Sequence, residues 1–362
     1  MEEASEAGKG SVKVVIVNYN GKRYLGECLA SLRLQDFRDF SVLVFDNGSS
    51  DGSADLMERE FPEMELVRSP VNLGFAAGNN RAIERVIGRE KVDFIFTLNN
   101  DVILDRSCLG RLHEAMSREG PEVWSCQPKI FLLKNGKTSG ILNNAGLEIW
   151  RDGRTFDRGL NQVDRGQFDN ETDIFGTCAG ASLYRVSVLE KVGLFDEDFF
   201  AYSEDVDIAW RGRRAGYRSV LCPGAVCYHH HGGSDIGLAW KKTLISRNHI
   251  WVLLKNYPRF YVILSPVFTL LRWLCLAFVL VTRTGRKDYS TGVSPGGIRR
   301  REVLGAVLRG YWLGLKGIRA CLRKRKQTMS LTVLSEHEVS RLVRGYSVPL
   351  RNTVSNRGRL RP

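Results

Sequence analysis

Short apolar runs rich in β-branched residues punctuate the first hundred positions. Val12 to Val17 (VKVVIV), Ser41 to Phe45 (SVLVF), Glu65 to Val67 and Asp93 to Leu98 predict strands, the longer ones buried on both faces of a parallel sheet. Between them, Leu25 to Leu34, Ala54 to Glu60 and Ala77 to Val86 predict helices. This alternation is the mark of βαβ units. The expected fold class is therefore α/β, a sheet with helices on both faces and ligands at the carboxyl ends of its strands.

From Pro121 to Asn170 the periodicity is lost, and Gly and Asn clusters predict irregular polar loops that shape a pocket. Regular structure returns near Thr177. Ser203 can cap a helix running to Arg214, which Gly216 stops, and a short strand from Ser219 to Cys222 leads to Tyr228-His229-His230-His231-Gly232-Gly233. There the α/β unit is expected to end. The division read from the chain is a flexible N-terminal segment over 1–11, the α/β domain over 12–240, a basic helical region over 241–330 and a basic tail over 331–362.

Charge sharpens that division. The 362 residues are 43% hydrophobic and 26% charged, which excludes a disordered chain and allows a sizeable core. The net charge of +13 is unevenly spread: residues after Trp240 hold 25 basic against 4 acidic side chains, leaving the first 240 residues net acidic. Residues 1–11 lack the apolar stretch of a secretory leader, and the eight cysteines include no CxxC pair. That usage fits reduced, structural thiols in a cytosolic protein better than a disulfide frame or a zinc knot.

Three strand or helix ends carry candidate chemistry. Asp46 directly follows a strand, and the Gly48 to Gly52 turn behind it offers backbone N–H groups where a base or ribose can be read. Asp46 and Asp51 equally suit plain turn and N-cap roles. Asn99-Asn100-Asp101 ends the next long strand. One carboxylate between amides offers hard oxygen ligands with little charge, which suits Mg2+ or Mn2+ shared with substrate phosphates, although the same tripeptide also makes ordinary turns. Glu204, Asp205 and Asp207 lie in a helix's first turn, where the dipole favours ionised carboxylates, the form a general base needs. Glu204 and Asp205 stand about 100° apart on the helix, so one can face a pocket while the other pairs with arginine, and Arg211 is spaced to pair with Asp207. One of His229, His230 and His231 can join Asp101 in a mixed oxygen and nitrogen metal site.

Taken in order, VVIVNYN (14–20), VFDNGSSDGS, NLGFAAGNN (72–80), TLNNDV, GLFDEDFFAYSEDVDIAWRGRRAGY and YHHHGGS resemble the family 2 glycosyltransferases, specifically rhamnosyltransferase-like members, over roughly residues 12–235. The resemblance implies the GT-A nucleotide-sugar fold and inverting transfer of a sugar, with rhamnose the candidate that the subfamily suggests, from a dTDP or UDP donor to an acceptor hydroxyl. It implies that Asn18, Asp46, Asn72, Gly74, Asn99 and Asn100 bind the donor, with Asp46 at the nucleotide base. Asp101 then corresponds to the last acid of the DXD metal motif, whose first two positions are asparagine here. His229 corresponds to a histidine added to the metal shell and Asp205 to the base, while Glu204 and Asp207 are expected on the acceptor side or in the layer of side chains that supports it. The competing class is a nucleotide-sugar-binding scaffold without turnover that docks a membrane synthase.

Phe260 to Thr282 is a 23-residue apolar stretch, long enough to cross a bilayer but interrupted by Pro266 and Arg272. An arginine near the middle costs about 2.5–3.5 kcal/mol on insertion, which favours an embedded or re-entrant segment slightly over a full span and leaves both open. Leu304, Val307, Leu308, Tyr311, Trp312, Leu315, Ile318 and Leu322 recur at helical spacing among basic residues, the pattern of a basic interfacial helix. A helix packed over the α/β domain with solvated charges fits the same pattern. No nucleic-acid-reading motif accompanies the charge. The expected partners are an anionic membrane surface and a lipid-linked glycan or surface polysaccharide acceptor, met at the cytoplasmic face.

Overall fold

The computed structural model describes residues 10–134, 137–230, 237–282 and 300–354. His231 with its following glycines, most of the expected N-terminal segment and the end of the basic tail lie outside the described residues.

The β-branched runs form the parallel strands β1 (Val12–Asn18), β2 (Phe40–Asp46), β3 (Glu65–Arg68) and β4 (Phe94–Asn99), in the order β3-β2-β1-β4. Helices α1 (Lys22–Arg33), α2 (Ser53–Glu60) and α3 (Phe75–Ile87) connect them. Because β2 and β4 flank β1, the chain reverses its direction of growth there, and the crevice at the carboxyl ends lies beside Asn18 and Asn99. Val14, Ile16, Val44 and Phe96 enter one core, and Val15, Leu43 and Ile95 enter a second on the other face. Burial on both faces is why these strands lack polar alternation.

After β4 come β5 (Val102–Leu104), α4 (Cys108–Arg118), β6 (Val123–Lys134) and β7 (Lys137–Asn144), then the hairpin of β8 (Leu147–Ile149) and β9 (Thr155–Asp157). The stretch expected to be irregular is thus largely strand. Its period is hidden because β6 buries polar residues that find partners: Ser125 donates to Ser219 at 2.8 Å, Gln127 donates to Asn144 at 3.0 Å, and Lys129 pairs with Asp164 at 2.8 Å.

Past β10 (Asp173–Ile174), β11 (Ala181–Arg185) inserts antiparallel between β4 and β6, followed by α5 (Val186–Val192) and α6 (Glu204–Arg214). Strand β12 (Arg218–His230) runs parallel to β6. It continues well beyond the expected end at Cys222, because a register shift between Cys222 and Val226 accommodates Pro223 without ending the ladder.

The boundary expected at Trp240 does not coincide with the packing. In α7 (Leu238–Asn256), Val252 and Leu253 share a core with Phe175, Phe199, Val206 and Trp210 of the α/β unit, and Val339 and Val343 from near the C-terminus close it. Polar groups tie the same elements together. Lys255 bridges Asp196 at 2.7 Å and Asp207 at 2.8 Å, Arg211 reaches Asp207 at 3.1 Å, and Lys324 pairs with Asp196 and Asp198. Burial pushes the Asp196 carboxyl up, but Lys255 and then Lys324 outweigh it and hold it at about 2.

Helix α8 (Arg259–Thr282) is the one helix among the described residues long and apolar enough to cross a membrane. Its inner face is docked: Tyr261 and Phe268 meet the core, and Arg272, only 8% exposed, lies 3.7 Å from Asp152. Its outer face exposes Phe260, Ile263 (74%), Val267, Leu270, Leu274 and Phe278 (68%). Helix α9 (Arg300–Lys316) has the same two-sidedness. It lies against α7 through glycines, for a Cβ at Gly310 would sit 2.4 Å from the Thr243 carbonyl oxygen, while Leu304, Leu308, Trp312 and Leu315 face outward. Helices α10 (Ile318–Ser330) and α11 (Glu336–Tyr346) complete the described chain on this side.

Candidate active site

Register brings the residues expected to bind a donor level. Asn18 pairs with Asp46 across β1 and β2, and Val17 pairs with Asn99 across β1 and β4. Asn18 is fully buried; its amide donates to Asp46 at 3.0 Å and Ser53 at 2.8 Å, while its oxygen accepts from Asn100 at 2.8 Å. Three strand ends are thereby cross-linked. Beside them Asp46, Gly48, Ser50, Arg68 and Ser69 line a cleft of about 340 Å³. Asp51 caps its own turn, accepting from the backbone N–H groups of Lys22 at 2.8 Å and Ser53 at 3.0 Å.

Asn72 and Gly74 serve the loop that encloses this region. Asn72 accepts from the Gly74 N–H at 2.8 Å, and Asn47 clamps both ends, donating to Asn72 at 3.1 Å and to the Gly74 carbonyl at 3.0 Å. Gly74 has φ +87°, and a Cβ there would lie 2.5 Å from the Phe200 ring, so only glycine fits. Asn80 then grips Phe195 through both backbone groups, at 2.8 and 3.0 Å. The NLGFAAGNN segment is in this way fastened to the loop before α6.

Asp101 and His229 are brought together by pairing of β12 with β5, which sets His229 opposite Val102. His229 Nε2 lies 3.2 Å from Asp101 Oδ2, and His229 Nδ1 donates to Asn143 Oδ1 at 3.0 Å. The proton on Nδ1 turns the Nε2 lone pair toward the carboxylate, an arrangement that calls for a cation or a second proton between them. Asp101 Oδ1 is buried with no hydrogen-bond partner. A divalent cation fits this pair. Among the described residues no group of three or more His, Cys, Asp or Glu converges, so two protein ligands would leave the remaining positions to water and phosphate, as Mg2+ and Mn2+ commonly do. His230 points elsewhere, meeting Glu27 at 3.0 Å, and His231 lies outside the described residues.

The loop entering α6 is strained. Phe200, Tyr202 and Ser203 have φ of +62°, +70° and +68°, a region costly for residues with side chains, and Ser203 makes no side-chain cap bond. Helix α7 holds this geometry: Asn248 donates to the carbonyls of Phe199, Ala201 and Tyr202 at 3.1, 2.9 and 2.6 Å.

Burial overrides the dipole in the following turn. Glu204 is buried, with Oε2 unpartnered, and desolvation, then Asp205 and Asp207, push its carboxyl well above the ordinary range, toward the neutral form. Asp205 is raised to about 6 by burial, with Asp157 adding to the effect and the Val206 and Ala179 N–H groups opposing it. The expectation that the helix end keeps all these acids ionised is corrected accordingly. Of the two roles expected for Asp207, touching an acceptor or supporting the site from behind, the structure leaves the second: it has no exposed surface and is saturated by Arg211, Lys255 and Asn256, so it anchors α7.

Asn143, Asp157 and Asn248 escaped the sequence reading. Only Asn248 left a trace, as an amide on the buried stripe with Leu244 and Val252.

The family model described as "Glycosyl transferase family 2" matches residues 13–193. A Mycobacterium tuberculosis protein described as N-acetylglucosaminyl-diphospho-decaprenol L-rhamnosyltransferase is 30% identical over 239 residues, covering 61% of this chain and 76% of that one. The low-salt glycan biosynthesis hexosyltransferase Agl10 of Haloferax volcanii is 21% identical over 60% of this chain and 67% of its own. Among solved structures, GalNAc-T7 with UDP, GalNAc and Mn2+ superposes with a TM-score of 0.55 at 12% identity; the alignment covers 86% of this chain and 56% of that one, and it supports the fold alone.

Proposed function

The chain belongs to glycosyl transferase family 2 and is a glycosyltransferase of GT-A fold, and from that premise we propose that it transfers a sugar with inversion from a nucleoside diphosphate to a hydroxyl of a lipid-linked glycan. The observation that carries this reading is Asp205, a half-buried carboxylate in the turn that the NLGFAAGNN loop and α7 hold in place, its carboxyl raised to about 6. A base at that value is ionised at neutral pH yet basic enough to take a proton. As the acceptor oxygen attacks the anomeric carbon, Asp205 takes its proton, the bond to the diphosphate breaks, and no covalent intermediate is needed. Asn18, Asp46 and Asn100 support the donor at the strand ends, and Asp101 with His229 would hold a divalent cation. When bound, that cation supplies Lewis-acid stabilisation of the departing diphosphate.

Rhamnose and a lipid-linked acceptor are supported by the description of the mycobacterial relative. Membrane association is supported by the outer faces of α8 and α9, and because Arg272 turns inward to Asp152, α8 can lie in one leaflet without burying a charge in lipid. The cytoplasmic leaflet is the proposed side, where anionic lipid attracts the basic C-terminal third.

A donor panel including dTDP-rhamnose and UDP-sugars, assayed with purified protein and a membrane extract, with Mn2+ or with chelator, tests the reading. Metal-dependent product with inverted anomeric configuration is expected. Donor binding without turnover would support the scaffold instead. Sedimentation with anionic vesicles, weakened but not abolished as salt shortens the Debye length from about 10 Å to about 3 Å, tests the membrane part.

A further inference from the structure

The turn of the β8–β9 hairpin carries a second group of reactive side chains, apart from the strand ends. It brings Arg151, Asp152 and Arg154 together with Arg272 of α8 and His249 of α7. Asp152 is fully buried. Its Oδ2 lies 3.4 Å from Arg154 Nε and 3.7 Å from Arg272 Nε and accepts from Thr269 at 3.2 Å, while its carbonyl accepts from His249 Nε2 at 2.8 Å. Two guanidinium groups thus share one carboxylate, and the third, Arg151, lies over the Trp150 and Phe268 rings with no carboxylate partner of its own among these contacts. The Nε–H groups of Arg151, Arg154 and Arg272 and the Nδ1 of His249 are buried without hydrogen-bond partners. Buried polar groups are almost always partnered, and like charges gathered out of water repel. An anion with several oxygens would satisfy both demands at once. The field is already felt within the cluster, where burial and then Arg154 push the His249 imidazole down to about 4.

Position narrows the identity of that anion. At the far end of the hairpin Asp157 acts on Asp205, and it lies three positions along the strand from Arg154, about 10 Å. Over the cluster runs α8, whose outer face is exposed and apolar. A molecule with a sugar toward Asp205, phosphate groups on the arginines and a hydrocarbon chain along α8 suits all three features. We propose that Arg151, Arg154, Arg272 and His249 form the subsite for the diphosphate of a lipid-borne acceptor. The assignment rests on the lipid-linked acceptor read above.

Calorimetric titration of the purified full-length protein with farnesyl diphosphate in detergent tests it, with inorganic pyrophosphate and phosphatidylglycerol vesicles as parallel arms. Arg151→Gln and Arg154→Gln are the variants, since losing Arg272 would strand Asp152; unchanged affinity for UDP or dTDP reports an intact fold. Each should weaken farnesyl diphosphate binding about tenfold, with Arg154→Lys retaining most of it. Wild-type binding by the double variant overturns the subsite. Pyrophosphate binding as tight as farnesyl diphosphate overturns the lipid assignment in favour of a free phosphate. Loss confined to the vesicle arm overturns it in favour of a membrane headgroup contact. Failure of the underlying reading has a different signature: the wild type would glycosylate only water-soluble glycans while still binding farnesyl diphosphate through these arginines.

Discussion

The strand ends and the turn that carries Asp205 are held by different means. Asn18, Asp46, Asn99 and Asn100, the proposed donor residues, sit at strand ends, and the bonds that orient Asn18 come from neighbouring strand ends and the turns that follow them. By contrast, Asp205 follows three residues with left-handed backbone, and what holds them is Asn248, from a helix beyond the expected domain boundary. The placement of the strand-end residues therefore follows from the sheet, whereas that of Asp205, the proposed base, depends on the C-terminal helices. The basic helical region is a structural part of the catalytic unit as well as a candidate membrane surface.

The severest way to break this comparison is truncation after Trp240. It removes half of a shared core together with Lys255, leaving Asp196 and Asp207 buried without that partner. Stranding a buried charge alone costs about 3–5 kcal/mol. Circular dichroism and size exclusion should find no soluble folded domain, and a folded, nucleotide-binding fragment would refute the shared core.

Asp205→Asn comes next. The amide preserves size but takes no proton, so turnover at saturating donor should fall about 10²- to 10⁴-fold while nucleotide affinity is kept. In the wild type, kcat should rise with pH through about 6 and then level, because the base must be ionised.

Asn248→Ala sharpens the comparison most directly. It frees the strained loop without touching a strand end, so turnover should drop about 10- to 100-fold with nucleotide affinity unchanged. Equal loss of both in stopped-flow binding and rate measurements would mean that the strand ends and this turn are not separable.

On the proposed donor side, Asp101→Ala should weaken Mn2+-dependent donor binding about tenfold or more, and His229→Ala less, since the carboxylate brings charge and the imidazole does not. Mn2+ titration of both variants decides the order. The smallest effect concerns Glu204. Its carboxyl is raised in the folded state, so the stability it lends is complete below the ordinary carboxyl value and is lost as pH rises through the raised one. Glu204→Gln should leave Tm unchanged in acid and raise it near neutral pH, as thermal unfolding at two pH values will show.

The sequence alone determined the parallel strands, the helices between them and the residues at their carboxyl ends. Those features follow from patterns a few residues long: VKVVIV must be buried on both faces, and whatever follows it stands at the crevice. The order of motifs likewise revealed the family before any contact was known. Tertiary structure alone decided that β6 is a strand despite Ser125, Gln127 and Lys129, because their partners lie far along the chain. It decided that Asp207 anchors α7, that Glu204 is held toward neutrality, and that Arg272 faces protein rather than lipid. The physical reason is common to all four. A polar or charged side chain carries no local sign of whether it meets water or a partner, and that choice is made only when distant elements pack.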